Sequence, residues 1–234
     1  MILKNRVAII TGAGSGIGRA GARIMAREGA TVCVADLNET RAAETVDFIR
    51  ADGGKAEAVI VDVTDDVELK MAVAGVLSRH GRVDILHNHA GAQVAGDLES
   101  VPLDGLDLSW NLNVRAHLMA ARLVMPAMKA QGKGVILNTA SSSGVLYDRE
   151  MIAYTTTKHA VIAMTKQMAG DYAGHGIRVN ALCPGWVDTP FNAPFITQMG
   201  GREAIEAYIK EKVPMGRWAD VEEIAEPILF LVSD

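Results

Sequence analysis

The sequence predicts an α/β protein: a single domain over residues 1–234 whose doubly wound parallel sheet carries helices on both faces. Three observations carry this. Short β-rich runs alternate with helically spaced segments of about 15 to 30 residues, the signature of repeated βαβ units. The runs are continuously apolar and do not alternate with polar residues, as strands covered on both faces require. No Pro-, Ser- or charge-rich linker interrupts the chain, so one large domain is preferred to two small ones.

The strands are expected at "RVAIIT" (6–11), "TVCVA" (31–35), "AEAVIVDV" (56–63), "VDILHN" (83–88), "GVILNTA" (134–140) and "IRVNALCP" (177–184). Helices fill the intervals. One runs from about Ile17 to Glu28, and another shows Val67, Met71, Ala74 and Leu77 on one stripe. A helix from 152 to about 172 is apolar nearly all round through Ala153, Ala160, Val161, Ala163, Met164, Met168 and Ala169, which predicts cover on more than one side. The last pattern, "ADVEEIAEPILFLVSD", has no strand after it, so an unfilled sheet edge or a missing tail is expected.

Composition limits the function classes. With 49% hydrophobic and 22% charged residues the chain is globular, and a net charge of −5 leaves no electrostatic footprint for nucleic acid or an anionic membrane surface. Cys33 and Cys183 sit in separate apolar runs and suggest no disulfide framework. No signal peptide and no apolar stretch approaching 18 residues is visible, so a cytoplasmic protein is expected.

The first strand ends in "TGAGSGIG", with Gly12, Gly16 and Gly18 leading directly into a helix. Glycines serve where strand turns tightly into helix and where backbone approaches a ligand, and the helix N-terminus offers N–H groups and positive charge to a pyrophosphate. The placement points to a Rossmann-like dinucleotide site. Asp36, 18 residues after Gly18, can accept both ribose hydroxyls of an adenosine and would repel a 2′-phosphate. Ala13, Ser15 and Leu37 supply no basic residue for such a phosphate, so NAD is favoured over NADP. "DLNET" also permits Asp36 to be a helix N-terminal residue near Asn38.

In "MIAYTTTKHA", Tyr154 and Lys158 are four residues apart and therefore share one helix face. Ser141, in "NTASSSG", stands 13 residues before Tyr154, and Asn113 lies in "NLNVRAH". With the glycine turn as T-G-x-x-x-G-x-G, Y-x-x-x-K at 154–158, "DVT" (62–64), "AG" (90–91) and "NALCPGWVDT" (180–189), the chain resembles the short-chain dehydrogenase/reductase family from about residue 5 to 233.

The resemblance implies Asn113, Ser141, Tyr154 and Lys158 as catalytic residues. It implies a dinucleotide held by Gly12, Ser15, Gly16, Ile17, Gly18, Asp36 and Leu37, with Asp62 and Val63 at the adenine. Asn88, Ala90 and Gly91 would run along the dinucleotide, Val187 and Thr189 would meet the carboxamide, and Pro184 and Gly185 would shape that turn. Tyr154 and Lys158 would touch the cofactor as well. Ser142 and Ser143 compete with Ser141, and only the spacing separates them. No metal is expected.

Oxidising a secondary alcohol needs a base that works near neutral pH. A free phenol has a pKa near 10, each unit of depression being about 1.4 kcal/mol, and a lysine one turn away is expected to favour the phenolate, as would a cationic nicotinamide. The implied activity is interconversion of an alcohol of polyol, sugar or hydroxy acid type with its ketone. Ser141 would hold the substrate oxygen, and Asn113 would anchor a water in a relay toward Lys158. A 3-oxoacyl carrier-protein type reductase is the alternative, and an NAD-binding protein without turnover a further one that leaves the four catalytic residues unexplained.

Residues 190–217 correspond to a substrate lid, and Trp186, Tyr147 and Ser143 are candidates for the pocket. The family's homotetramers imply that the helix at 152–172 and the one around 104–130 pack against a second subunit, as tetramer or dimer. One departure stands out. "NHAG" places His89 where the family has asparagine, with His87 on the same strand face. The pair invites a zinc reading, but no third ligand at sensible spacing is evident, and local hydrogen bonding at the strand end is the expected role.

Overall fold

The computed structural model describes residues 1–234. Six parallel strands run β1 (Val7–Thr11), β2 (Thr31–Asp36), β3 (Lys55–Ile60), β4 (Ile85–Asn88), β5 (Gly134–Thr139) and β6 (Ile177–Leu182), in the sheet order β3-β2-β1-β4-β5-β6. Each expected strand is present. The third ends earlier than its apolar run suggests, at Ile60, because Val61 and Val63 already belong to the turn toward the next helix.

Helices α1 (Gly16–Arg27), α2 (Glu39–Ala51), α3 (Asp66–His80), α4 (Leu103–Trp110), α5 (Ala116–Gln131), α6 (Ile152–Tyr172), α7 (Ala193–Gln198), α8 (Arg202–Lys212) and α9 (Val221–Val232) connect or follow the strands. No helix is long and apolar enough to cross a membrane. Alternate strand residues feed two layers. Ala8, Ile10, Val32 and Val34 meet α1, α2 and α9, whereas Val7, Ile9, Leu86 and Ile136 meet α3, α5 and α6. Each layer is built on 22 buried residues, so both sheet faces are covered equally.

Two expectations need correction. Central β1 and β5 are buried throughout, but β3 and β6 form the sheet edges and are partly open, β3 burying only Val59. An edge strand lacks a neighbour on one side and the helix cover that neighbour would bring. On α3 the stripe facing the sheet is Leu69, Val73 and Val76, while Val67 and Met71 are exposed. Both stripes have helical spacing; periodicity fixes the helix but not which stripe turns inward.

Between α4 and α5 the helix widens into a π turn at Asn111–Arg115, where the Ala116 N–H reaches back to the Asn111 carbonyl. Asn113 sits inside it. The end of the chain is held by a well-capped α9: Asp220 and Glu223 form a capping box, and Ile228, Leu229 and Val232 pack on the α1 layer.

Candidate active site

The strand order reverses between β1 and β4, and a cleft of about 560 Å³ opens at the carboxyl ends of the strands there. Its first wall is the glycine turn. Gly12 has φ +68°, and a Cβ on it would lie 2.9 Å from the Ala90 Cα, so turn and neighbouring loop close together only through glycine. A Cβ on Gly18 would lie 2.2 Å from the Gly12 carbonyl oxygen, which holds α1 against the turn. Ser15 makes no side-chain cap and no acidic residue occupies the first turn of α1, so that positive helix end stays open to an anion.

At the end of β2, Asp36 accepts the Gly14 N–H through Oδ2 at 2.8 Å and the Asn38 N–H through Oδ1 at 2.9 Å. Asn38 caps α2 through the Arg41 N–H. The carboxylate therefore orders both the glycine turn and the start of α2, with lone pairs remaining on each oxygen. Asp62 accepts the N–H and hydroxyl of Thr64, at 2.8 and 2.6 Å, beside buried Val63.

Of the expected cofactor residues, Gly12, Ser15, Gly16, Ile17, Asp36, Leu37, Asp62, Val63, Ala90, Gly91, Tyr154, Lys158, Pro184, Gly185, Val187 and Thr189 line the cleft. Gly18 and Asn88 do not. Gly18 packs beneath the turn, and Asn88 is buried in the sheet, donating to the His117 carbonyl at 3.1 Å and to Asn138 Oδ1 at 2.9 Å, which ties β4 to β5 and α5. The open helix end, the close glycine backbone and the free carboxylate lone pairs fit a dinucleotide.

Arg41, in the first turn of α2, also lines the cleft beside Asp36. The sequence reading looked for a basic residue at Ala13, Ser15 and Leu37; the helix brings one in from further along.

Ser141, Tyr154 and Lys158 meet at the cleft wall. Lys158 is 2% exposed, its Nζ lies 5.5 Å from the Tyr154 ring centroid, and it donates to the Thr139 carbonyl at 2.8 Å. Burial lowers the Lys158 pKa to about 8. Tyr154 departs from expectation. Burial pushes its pKa up to about 12, hydrogen bonding from Ser141 opposes the rise, the nearby Asp148 charge adds to it, and Gln93 opposes it. Lys158 Nζ is engaged with the Thr139 carbonyl, and loss of water around the 6% exposed phenol governs.

Asn113 stands one layer behind the cleft lining. Its Oδ1 accepts the Ala92 N–H at 2.8 Å, and its Nδ2 donates to the Ala92 carbonyl and to Thr157 Oγ1 at 3.0 and 3.1 Å. Both Nδ2 protons are used, and the side chain fixes the loop that presents Ala90 and Gly91.

His87 Nε2 and His89 Nδ1 converge on Thr139 Oγ1 at 2.9 and 3.1 Å. One hydroxyl, with one proton and two lone pairs, satisfies a nitrogen on each ring while both stay neutral. Burial lowers both pKa values, that of His89 to about 4 with Lys158 contributing. These are the local hydrogen bonds expected at the strand end.

The remaining wall holds Gln93, Ser143, Asp148, Met151, Trp186, Phe191, Asn192 and Phe195. Trp186 stacks in a cluster with Phe195, Tyr208 and Trp218, at ring-centroid distances of 5.3, 6.1 and 5.6 Å. Arg202 pins that cluster, pairing with both Asp188 oxygens at 2.8 Å and lying over Trp218. Tyr147 is 81% exposed and belongs neither to pocket nor to core. Gln93, Asp148 and Asn192 carry no motif signal, since loops and turns from three parts of the chain bring them together.

Comparison with known proteins agrees with this geometry. The family model described as short chain dehydrogenase matches residues 6–200. An uncharacterised oxidoreductase of Bacillus subtilis is 39% identical over 99% of this chain and 86% of its own length, and the cyclohexanol dehydrogenase of an Acinetobacter species is 36% identical over 98% and 88%. A solved NAD⁺-bound xylitol dehydrogenase superposes with a TM-score of 0.95 at 31% identity, covering 100% of this chain and 94% of that one. With the family model matching residues 6–200 and relatives more than 30% identical along nearly its whole length, the chain belongs to the short-chain dehydrogenase family.

Proposed function

We propose that the protein is an NAD-dependent dehydrogenase that interconverts a secondary alcohol, of polyol, sugar or hydroxy acid type, and its ketone. The observation that carries this reading is the meeting of Ser141, Tyr154 and Lys158 on one wall of a cleft whose other end fits a dinucleotide. Oxidised nicotinamide, when bound, supplies the hydride acceptor and a positive charge beside the phenol. Tyr154 takes the hydroxyl proton as the carbinol C–H gives up its hydride, leaving a C=O bond; in reduction Tyr154 returns the proton. Ser141 holds the reacting oxygen. Lys158, anchored on the Thr139 carbonyl, keeps a cation within 5.5 Å of the ring centroid. Buried Asn113 positions the Ala92 backbone and Thr157, and through them the loop and α6.

NAD preference rests on Asp36. Arg41 beside it favours a second reading, NADP, because a guanidinium there can pair with a 2′-phosphate. Rates with NADH and NADPH on one ketone separate the two.

The segment 190–217 acts as lid, with Phe191 and Phe195 reaching the cleft from the 3₁₀ turn Pro190–Asn192 and from α7. A homo-oligomer, tetramer or dimer, is supported by exposed Leu108, Trp110 and Leu118 on α4 and α5 and by exposed Ala163 on α6. Free Cys33 and Cys183 support a cytoplasmic setting.

The test is Tyr154→Phe, read by NADH formation across secondary alcohols and by calorimetric NAD binding. Turnover should vanish while binding survives; since general acid–base catalysis contributes about 10²–10⁴-fold, retention of more than about a tenth of the rate refutes the assigned base.

A further inference from the structure

The cleft has one charged group on the wall between Ser141 and α6, and it is an acid. Asp148 lies there, while Asp36, Arg41 and Asp62 stand on the turns after β2 and β3 at the other end. The Ser143 hydroxyl donates to Asp148 Oδ2, Ser141 Oγ donates to Ser143 Oγ at 3.1 Å, and the Ser143 N–H donates to Ser141 Oγ at 3.1 Å. A row of hydroxyls therefore leads from the carboxylate to the serine beside Tyr154. A carboxylate accepts about four hydrogen bonds, so one serine leaves most of its capacity unused.

Asn192 Nδ2 donates to the Val187 carbonyl at 2.7 Å, which fixes that amide and leaves its Oδ1 to accept from Gln93 Nε2 at 3.4 Å. Gln93 must then turn its oxygen the other way, and Gln93 Oε1 is buried with no partner. Gln93 also touches Tyr154 by hydrogen bonding. The rest of this end is apolar, with Phe191 6.2 Å from Tyr154 by ring centroids and Met151 and Trp186 nearby.

A carboxylate short of donors, an apolar surround and no cation but the catalytic Lys158 describe a ligand that offers an O–H and carries no negative charge. We propose that Asp148 reads a second hydroxyl, so that the substrate is a neutral vicinal diol or polyol and hydroxy acids are rejected. The inference rests on the dehydrogenase reading above and narrows its substrate class. One carbinol gives its hydride to oxidised nicotinamide and its hydroxyl proton to Tyr154, becoming C=O. The neighbouring C–OH is unchanged and donates to Asp148, and the product is an α-hydroxyketone. A carboxylate in that place would meet the like charge of Asp148.

The experiment compares butane-2,3-diol, butan-2-ol and 2-hydroxybutanoate, which share a four-carbon chain, by kcat/KM with NAD⁺. The wild type should favour the diol over the monoalcohol by about tenfold or more, as expected for a hydrogen bond to a charged acceptor, with the hydroxy acid poorest. Asp148→Asn keeps the shape and removes the charge. It should shrink the diol-to-monoalcohol ratio several-fold and raise the relative rate on the hydroxy acid. Calorimetry on Tyr154→Phe with NAD⁺ should show the same diol preference as binding without turnover, and lose it when Asp148→Asn is added. If Asp148→Asn does not fold, Asp148→Ala carries the test, with the same fall in ratio expected. Equal kcat/KM for diol and monoalcohol, or a ratio the substitution does not move, overturns the second-hydroxyl reading while leaving the dehydrogenase intact. A wild type inert to the whole panel overturns both.

Discussion

Lys158→Met should make the protein more stable at neutral pH, and the size follows from burial. A lysine that falls from 10.5 to about 8 carries a cost of about 3 kcal/mol for keeping its charge in the folded chain. Methionine fills the same channel without that charge. It also leaves the Thr139 carbonyl, which accepts from Nζ at 2.8 Å, without a donor, at about 1–2 kcal/mol. The balance is a gain of about 1–2 kcal/mol, or roughly 2–8 °C in Tm for a chain of this length. The gain depends on pH. Between about 8 and 10.5 the unfolded chain binds the lysine proton and the folded one does not, so wild-type stability from this group rises with pH. The advantage of the variant should therefore be full at about pH 7 and mostly gone at about pH 10. The buried Cys33 thiol, also raised by burial, is common to both proteins and cancels in the difference. Thermal melts of the two proteins at both pH values measure it. A variant that melts below wild type at neutral pH, or a gap that does not change with pH, refutes the claim that the charge is held against its environment.

Three further outcomes are expected. Asp36→Ala should weaken NAD by about tenfold and move the NADP-to-NAD ratio upward as Arg41 loses its acidic neighbour, measured as kcat/KM with each cofactor; an unmoved ratio removes Asp36 as the selector. Gly18→Ala brings a methyl to 2.2 Å of the Gly12 carbonyl oxygen and should cost about 1–3 kcal/mol, with weaker dinucleotide binding in a fluorescence titration; wild-type melting and binding together would contradict the close packing of α1. Thr139→Val keeps the side-chain shape but strands one nitrogen on each of His87 and His89, for about 2–4 kcal/mol by denaturant titration, and a loss under about 0.5 kcal/mol would mean the hydroxyl is not shared between them.

The sheet, its parallel sense and the glycine turn were legible because they depend on local periodicity and on residues within one βαβ unit. The placement of Ser141, Tyr154 and Lys158 was legible because one helix and one strand end set it. What the sequence did not carry was depth. Tyr154 was expected to be acidified by its lysine, yet it lies far enough from water for burial to govern, and burial is a property of the whole assembly of elements. The same limit explains α3, where Val67 and Met71 match the spacing as well as Leu69 and Val73 but face solvent. It explains Asp148, Gln93 and Arg41 too: each reaches the cleft from an unrelated loop or turn, and nothing in its own neighbours marks it.

The π turn at Asn111–Arg115 sets the phase of a whole length of chain. One residue beyond the regular winding rotates everything after it by about 100° about the axis. Gly105 and Ser109 upstream and Ala116, Ala120 and Val124 downstream are all buried, and the offset between them sets how the two halves are turned relative to one another. Removing a single residue from those five would restore an ordinary spiral, swing one of the two halves outward and draw Asn113 away from the Ala92 backbone. The segment can thus change its side chains far more readily than its length.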